Sequence, residues 1–328
     1  YVMINIQNRL IFTRKKEKIM NEFQSVIAQV KKVINGKDSA ITTSLLAILT
    51  NGNILLEDIP GVGKTTMALA FSKALGLACT RVQFTPDTVP SDITGFVMFD
   101  KETGRMRYKR GAVLSSNIFL ADELNRASSR TQAALLEAME ERQVTVEGRA
   151  YPLEQPFTVI ATQNPVGASG TQLLPDSQTD RFTVRISMGY PDNEAELKML
   201  INRSGGNPLD SVKCIVTRER LVEMQSQVKS VFMHESVARY IVALVAETRN
   251  NRLFRRGASP RATLSLAEMA KANAFAGGRD FVTPRDVESV FISTVNHRVI
   301  LSGDAASMRI GVGDALNDVL KNVKPPRI

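Results

Sequence analysis

Ile54-Leu55-Leu56-Glu57-Asp58-Ile59-Pro60-Gly61-Val62-Gly63-Lys64-Thr65 is an apolar run that passes through a glycine-bearing turn into a helix-like stretch, Lys64–Leu75. A strand-to-helix turn of this kind aims successive backbone N–H groups at one point, where they suit phosphate. Lys64 would reach the β- and γ-phosphates and the Thr65 hydroxyl would hold Mg²⁺, with Pro60, Gly61, Val62, Gly63 and Thr66 completing the wrap. A second segment, Asn117-Ile-Phe-Leu-Ala-Asp-Glu123, ends an apolar run in two adjacent carboxylates. Asp122 is placed to bind the metal through its outer shell, and Glu123 to polarise a water for in-line attack on the γ-phosphate. Each segment alone has a plain structural reading, as a turn or as a strand end with a helix cap. Together and in this order they point to a nucleoside-triphosphate hydrolase. The consensus phosphate loop begins with Gly, and here that position is Asp58, whereas Gly61 and Gly63 are kept.

The chain of 328 residues is long enough for one large core or for a core with a satellite domain. Its 43% hydrophobic and 23% charged residues are those of a globular protein, which excludes disordered and fibrous classes. No apolar run approaches the roughly 18 residues needed to span a bilayer, and no signal peptide is evident, so a cytoplasmic protein is expected. Cys79 and Cys214 lie far apart without metal-ligand spacing, and His234 and His297 are isolated. Neither zinc nor thiol chemistry is expected. The net charge of +9 would suggest nucleic acid, yet Arg9, Arg14, Lys15, Lys16 and Lys18 against Glu17 put +4 of it in residues 1–19. Position 1 is Tyr, and Met20 is followed at once by a helical pattern, Phe23, Ile27, Val30 and Ile34. Residues 1–19 are therefore expected to be a non-native or disordered extension.

From residue 20 to about 190, β-rich runs alternate with amphipathic stretches, the pattern of an α/β domain with a mostly parallel sheet. The strands are expected at Ile54–Glu57, Thr80–Phe84, Ile118–Ala121, Thr158–Thr162 and Thr183–Ser187. Helices are expected at Glu22–Ile34, Ala40–Thr50, Lys64–Leu75 and Ser129–Arg142. Two hairpins are expected on this core, Ile93–Arg110 turning at Lys101–Gly104 and Val144–Leu153 turning at Glu147-Gly148. After Pro191 the periodicity becomes helical, at Glu194–Asn202, Arg218–Val228, Glu235–Asn250, Pro260–Phe275, Pro284–Ile300 and Ala306–Leu320, with a break at Gly205-Gly-Asn-Pro208. Residues 191–328 thus read as a small all-α domain.

Three further polar residues stand where they could meet the phosphates. Asn164 ends the run Thr158–Gln163 and, if that strand lies beside Ile118–Asp122, would sit next to Glu123 and hold the attacking water. Arg181, in Asp180-Arg181-Phe182, precedes the last strand, at the end of the core where an adjacent subunit could meet the nucleotide. Arg261 opens a helix behind Ser259, a possible cap, and Pro260, and would project toward an anion. The plain alternatives are a turn, a salt-bridged surface arginine and an exposed arginine.

These residues in this order resemble the AAA+ ATPases, and the details resemble their MoxR family. The matching stretches are Glu57–Thr66, Ser91-Asp-Ile-Thr-Gly95, Ala121-Asp-Glu-Leu-Asn-Arg-Ala127, Thr131–Thr145, Ala161-Thr-Gln-Asn-Pro165, Asp180-Arg-Phe182 and Gly257-Ala-Ser-Pro-Arg261. Glu137-Ala-Met-Glu-Glu-Arg-Gln-Val-Thr145 is the most specific, because generic AAA+ proteins lack it. The resemblance implies a P-loop NTPase αβα sandwich with a five-stranded, mostly parallel sheet and inserted hairpins, followed by an all-α lid. It implies ATP and Mg²⁺ as ligands, Lys64 and Thr65 as Walker A residues, and Asp122 and Glu123 as Walker B. Asn164 would be sensor 1, Arg181 the arginine finger and Arg261 sensor 2, acting within or between subunits. An acidic residue at position 58 is common in the family. Similar proteins form hexameric rings and remodel or mature partner complexes, often with a von Willebrand factor A-domain protein and sometimes in metal insertion; the client is unknown.

A competing class is a nucleic-acid motor, since related rings share the hairpins and Arg105, Arg107, Lys109 and Arg110 cluster on the first. A solvated hairpin edge is the plainer account of those charges, so nucleic acid is not expected as the partner. A third class, a nucleotide-gated scaffold that barely hydrolyses, is disfavoured by the intact Glu123 and Arg181.

Overall fold

The structure is a computed structural model that describes the backbone of residues 2–59, 61–164, 174–203 and 207–327, so Pro60, Pro165 and the glycines of the 205–208 break lie outside the described residues. Two helices come first, α1 (Val2–Lys31) and α2 (Asp38–Leu49), then strand β1 (Ile54–Glu57), helix α3 (Lys64–Ala74) and strand β2 (Cys79–Gln83). A short helix α4 (Pro90–Thr94) leads into the hairpin β3 (Gly95–Asp100) and β4 (Arg105–Arg110). Strand β5 (Ile118–Asp122) and helix α5 (Ser129–Glu141) precede a second hairpin, β6 (Gln143–Val146) and β7 (Arg149–Pro152). Strand β8 (Thr158–Gln163), helix α6 (Asp176–Thr179) and strand β9 (Val184–Ile186) complete this portion. The remainder is helical: α7 (Asn193–Arg203), α8 (Arg218–Lys229), α9 (Glu235–Asn250), α10 (Pro260–Ala276), α11 (Pro284–Val295), α12 (Gly303–Ser307) and α13 (Val312–Asn322). One addition to that helical set is a small antiparallel ribbon of β10 (Phe254–Arg256) and β11 (Ile300–Leu301).

The central sheet has the order β2-β5-β8-β1-β9, and every neighbouring pair is parallel. Parallel strands need helical crossovers that cover both faces, which is why the inner strands β5 and β8 are buried at every position and β1 at all but its last, whereas the edge strand β2 is not. Successive side chains go to opposite faces. Ile54, Leu56, Ile118, Leu120 and Ile160 join one cluster, with α1, α2 and α3, while Leu55, Phe119, Ala121, Val159 and Ala161 join the other, with Leu135 and Met139 of α5.

The helical portion has no separate core. Leu221, Ile241, Leu266 and Met269 belong to the same cluster as Phe23, Val26, Ile41 and Leu45. Polar links reinforce the seam: Arg220 of α8 makes a two-pronged pair with Glu22 of α1 (2.7 Å at the closer prong), and the Gln225 amide donates to the Ile48 carbonyl at 2.8 Å. The two hairpins also touch, through Tyr108 stacked on Tyr151 with centroids 4.0 Å apart. Glu147 and Gly148 have φ of 48° and 75°, the left-handed pair a two-residue hairpin turn requires.

Three helix boundaries differ from expectation. The helix expected from Glu22 begins at Val2, so residue 19 lies within it and Ile19 is buried. The helix expected to reach Ile300 stops at Val295, because Asn296, His297 and Arg298 turn inward to bond Arg185 and residues 180–182. The periodic run Ala306–Leu320 is split into α12 and α13 by Arg309, whose φ is 56°. Among the described residues no helix is long and apolar enough to cross a membrane.

Phe119, at 0% exposure, fills the face of the sheet that α5 covers. Phe119→Ala is expected to cost about 3–5 kcal/mol by urea denaturation, from lost transfer energy and the cavity left behind.

Candidate active site

All five strands run the same way, so their C-terminal ends share one edge, and Asp58, Asp122, Glu123 and Asn164 are all there. Lys64, 7% exposed, donates to the Asp58 carbonyl at 2.6 Å and to Asn164 Oδ1 at 2.9 Å. Asn164 Nδ2 in turn faces Glu123 Oε1 at 3.3 Å. The Thr162 hydroxyl donates to Asp122 Oδ1 at 2.7 Å and accepts the Glu123 N–H at 2.8 Å, locking the two carboxylates' backbone to β8. Glu123 itself has φ 56° and ψ 46°, a left-handed conformation that turns its side chain out of the strand line. Burial pushes the Lys64 ammonium below its ordinary range, against the pull of Asp58, Asp122 and Glu123.

The start of α3 fits a phosphate. Gly61 and Gly63 have φ of 86° and 93°, and no side chain caps the helix, so its first N–H groups face outward from the turn. Among the described residues no three His, Cys, Asp or Glu side chains are grouped to hold a metal by themselves. Thr65 and Asp122 beside a triphosphate instead offer the one or two protein oxygens that suit Mg²⁺, which keeps waters and phosphate oxygens as its other ligands.

Asp58 has a structural task that its sequence position did not reveal. Its Oδ2 accepts the N–H groups of Met188 and Gly189, both at 2.5 Å, and the Ser187 hydroxyl at 3.1 Å, while Oδ1 accepts the Ile59 N–H at 2.9 Å. The carboxylate ties the end of β1 to the chain leaving β9. Burial raises its pKa, but these four donors together outweigh that and leave it below the usual value of 3.8.

Arg181 and Arg261 are not at this edge. Arg181 precedes β9, at the N-terminal edge of the parallel sheet, and pairs with Glu140 of α5 at 2.8 Å. Arg261 pairs with the other oxygen of the same carboxylate. From Glu140 back to Ser129, the start of α5 and six residues after Glu123, the helix rises about 17 Å. The two arginines line a cavity of about 180 Å³ with Met139, Leu264 and Arg298. Arg298 is buried, and its guanidinium, pushed down to about 10 by burial against the pull of Asp180, pairs with that carboxylate at 3.0 Å.

Comparison with known proteins shows the family. Residues 53–184 match the ATPase family associated with various cellular activities (AAA), and residues 246–318 match the AAA lid domain. The chain is 36% identical to Chaperone MoxR1 of Mycobacterium tuberculosis over 94% of its length and 84% of that protein. It is 30% identical to Protein MoxR of Methylorubrum extorquens over 91% of its length and 93% of that protein. The chain belongs to the MoxR family of AAA+ ATPases. It is also 39% identical to the uncharacterised protein YeaC of Bacillus subtilis, over 92% of its length and 93% of that protein. A crystal structure of a candidate ATPase from Cytophaga hutchinsonii superposes with a TM-score of 0.88 at 38% identity, covering 96% of this chain and 98% of that one.

Further residues of this MoxR chain touch those of the candidate site. Arg81 of β2 pairs with Asp122 at 2.7 Å, and Arg126 with Glu123 at 2.7 Å. Arg81 sits two positions before the residue paired in register with Asp122, a relation visible only once β2 and β5 are neighbours. Glu140 lies inside the family-specific stretch 137–145, which was the one available signal for it. Ser259 occupies the N-cap of α10 but makes no cap bond; its hydroxyl donates to Asp180 at 2.9 Å instead. Pro60 lies outside the described residues, and Val62, Thr65 and Thr66 flank the start of α3, half-buried.

Asp58→Ala is expected to lower stability by about 2–4 kcal/mol at pH 7, since four donors lose an ionised acceptor. Because the folded-state pKa is depressed, that contribution is present above pH 3.8 and is lost as pH falls through the lower folded value. Denaturation curves of the two proteins should therefore converge in acid.

Proposed function

We propose that this chain hydrolyses ATP between adjacent copies of itself, in a closed ring of six, and uses the cycle to remodel a partner protein complex. One observation carries the proposal: Lys64, Asp122, Glu123 and Asn164 occupy one edge of the parallel sheet, and Arg181 and Arg261 the opposite one. A γ-phosphate held at Lys64 cannot meet the arginines of its own chain, so each site takes them from a neighbour. Lys64, the N–H groups of Gly61, Val62, Gly63 and Thr66, and Pro60 by its place in the loop hold the triphosphate. Thr65 and Asp122 would hold Mg²⁺, which would supply charge neutralisation on the triphosphate. Glu123 accepts a proton from the attacking water, and Asn164, between Lys64 and Glu123, orients that water. The neighbour's Arg181 and Arg261 stabilise charge on the transferring phosphoryl group, worth roughly 10³–10⁵ in rate for such a finger.

The client is proposed to be a protein. Hairpin β3–β4 exposes Phe96, Met98, Phe99 and Met106 among Arg105, Arg107 and Lys109, a mixed surface that suits a polypeptide better than a bare phosphate backbone. The name of the relative Chaperone MoxR1 points the same way. A von Willebrand factor A-domain partner and metal insertion into the client rest on the family resemblance alone, and a cytoplasmic location on the sequence reading.

Lys64→Ala should abolish nucleotide binding, whereas Glu123→Gln should bind ATP with unchanged affinity and turn over at less than about one hundredth of the native rate. Undiminished turnover in the Glu123 variant would remove its role. Sedimentation with ATP should show a ring; a monomer at every concentration would sink the shared site. DNA-stimulated, salt-sensitive turnover would favour a nucleic-acid motor.

A further inference from the structure

The short segment Asp180-Arg181-Phe182 is held from two sides. Its N–H groups bond back to α6, at Asp176, Gln178 and Thr179, and the Phe182 ring is fully buried among the residues under α5. Its carbonyls and the Asp180 carboxylate are held by the helical portion. Arg298 Nη2 donates to the carbonyls of Asp180 and Phe182 at 3.1 and 2.8 Å, and Arg298 Nε lies 3.0 Å from the carboxylate. The Ser259 hydroxyl donates to that carboxylate, and His297 Nε2 lies 2.9 Å from the Phe182 carbonyl. Arg298 also donates to the Ser265 hydroxyl of α10, the helix that carries Arg261 near its start, and to the Thr294 carbonyl in the last turn of α11.

Burying a guanidinium is costly, and an apolar side chain of similar volume often stabilises as well. Arg298 keeps 2% side-chain exposure and spends its donors on the backbone to either side of Arg181. A fork of fixed planar geometry that grips the carbonyls of residues 180 and 182 restrains the residue between them.

We infer that Arg298 is the positioning residue for Arg181, so that the helical portion, which also carries Arg261, sets where the finger arginine points in the neighbour's site. Arg298 touches no substrate in this scheme; it acts through Arg181. The inference rests on the proposal that Arg181 serves a neighbouring copy.

The test is steady-state ATP hydrolysis with separate measurement of nucleotide affinity, on the full chain, for Arg181→Ala, Arg298→Met, Arg298→Lys and the double variant Arg181→Ala/Arg298→Met. Arg298→Met is expected to lower kcat by about 10- to 100-fold, as misplacement of a catalytic group by about 1 Å does, with affinity for ATP unchanged within about twofold. Arg298→Lys, which keeps the charge beside Asp180 but not the fork, should fall between native and Met. The double variant should be no slower than Arg181→Ala, because a mispointed finger costs nothing once the finger is gone. Mixed with Glu123→Gln subunits, whose arginines are intact, Arg298→Met should regain turnover to the extent that Arg181→Ala does. Where Arg298→Met alone does not fold, Asp180→Asn/Arg298→Met, which leaves no unpaired buried charge, takes its place with the same expectations. Native kcat in Arg298→Met beside a slow Arg181→Ala overturns the inference and leaves the shared site standing, as does a double variant much slower than Arg181→Ala. Native kcat in Arg181→Ala overturns both.

Discussion

Parallel pairing of β2, β5, β8, β1 and β9 is the constraint from which the site follows. Because every strand points the same way, the turns after β1, β5 and β8 open at one edge and bring together Asp58, Glu123 and Asn164, which are far apart in the chain. The same rule sends the residues that precede a strand to the far edge, and Arg181 precedes β9. Crossover helices then have to cover both faces, which gives α5 its place and makes it the bridge between the two edges, with Glu123 before its first turn and Glu140 in its last.

Along that bridge the charged groups are paired with one another. Lys64 rests on the Asp58 carbonyl and Asn164, Asp122 on Arg81, Glu123 on Arg126, and Arg181 with Arg261 on Glu140. A partly buried charge without a partner is expensive, which is why each of these groups is held by another.

The strand runs were readable to within one or two residues, because a doubly covered parallel strand is mostly apolar, as Ile54–Leu56 and Ile118–Ala121 are. The two hairpins were equally legible, from Gly104 and from Glu147-Gly148 at their turns. Where the reading stopped, the cause was a long-range bond that local periodicity does not carry. His297 and Arg298 continue the helical spacing of α11 yet leave the helix for residues 180–182, and Ser259 looks like a cap but bonds Asp180. The resemblance accounts for an acidic residue at position 58, but not for its task of holding Ser187, Met188 and Gly189 on its carboxylate.

By itself the sequence determined the family, the phosphate loop with Lys64 and Thr65, the adjacent carboxylates Asp122 and Glu123, and the alternation that makes the sheet, since each of these is a local pattern set by backbone geometry and residue chemistry. Tertiary structure alone decided which residues face each other across the sheet. It set Arg81 against Asp122 and Thr162 between the two carboxylates, joined the helical portion to α1 and α2 in one core, and put Arg181 and Arg261 on a single glutamate at the edge away from Lys64. Strand order and direction are properties of the assembled sheet, and no window of sequence contains them.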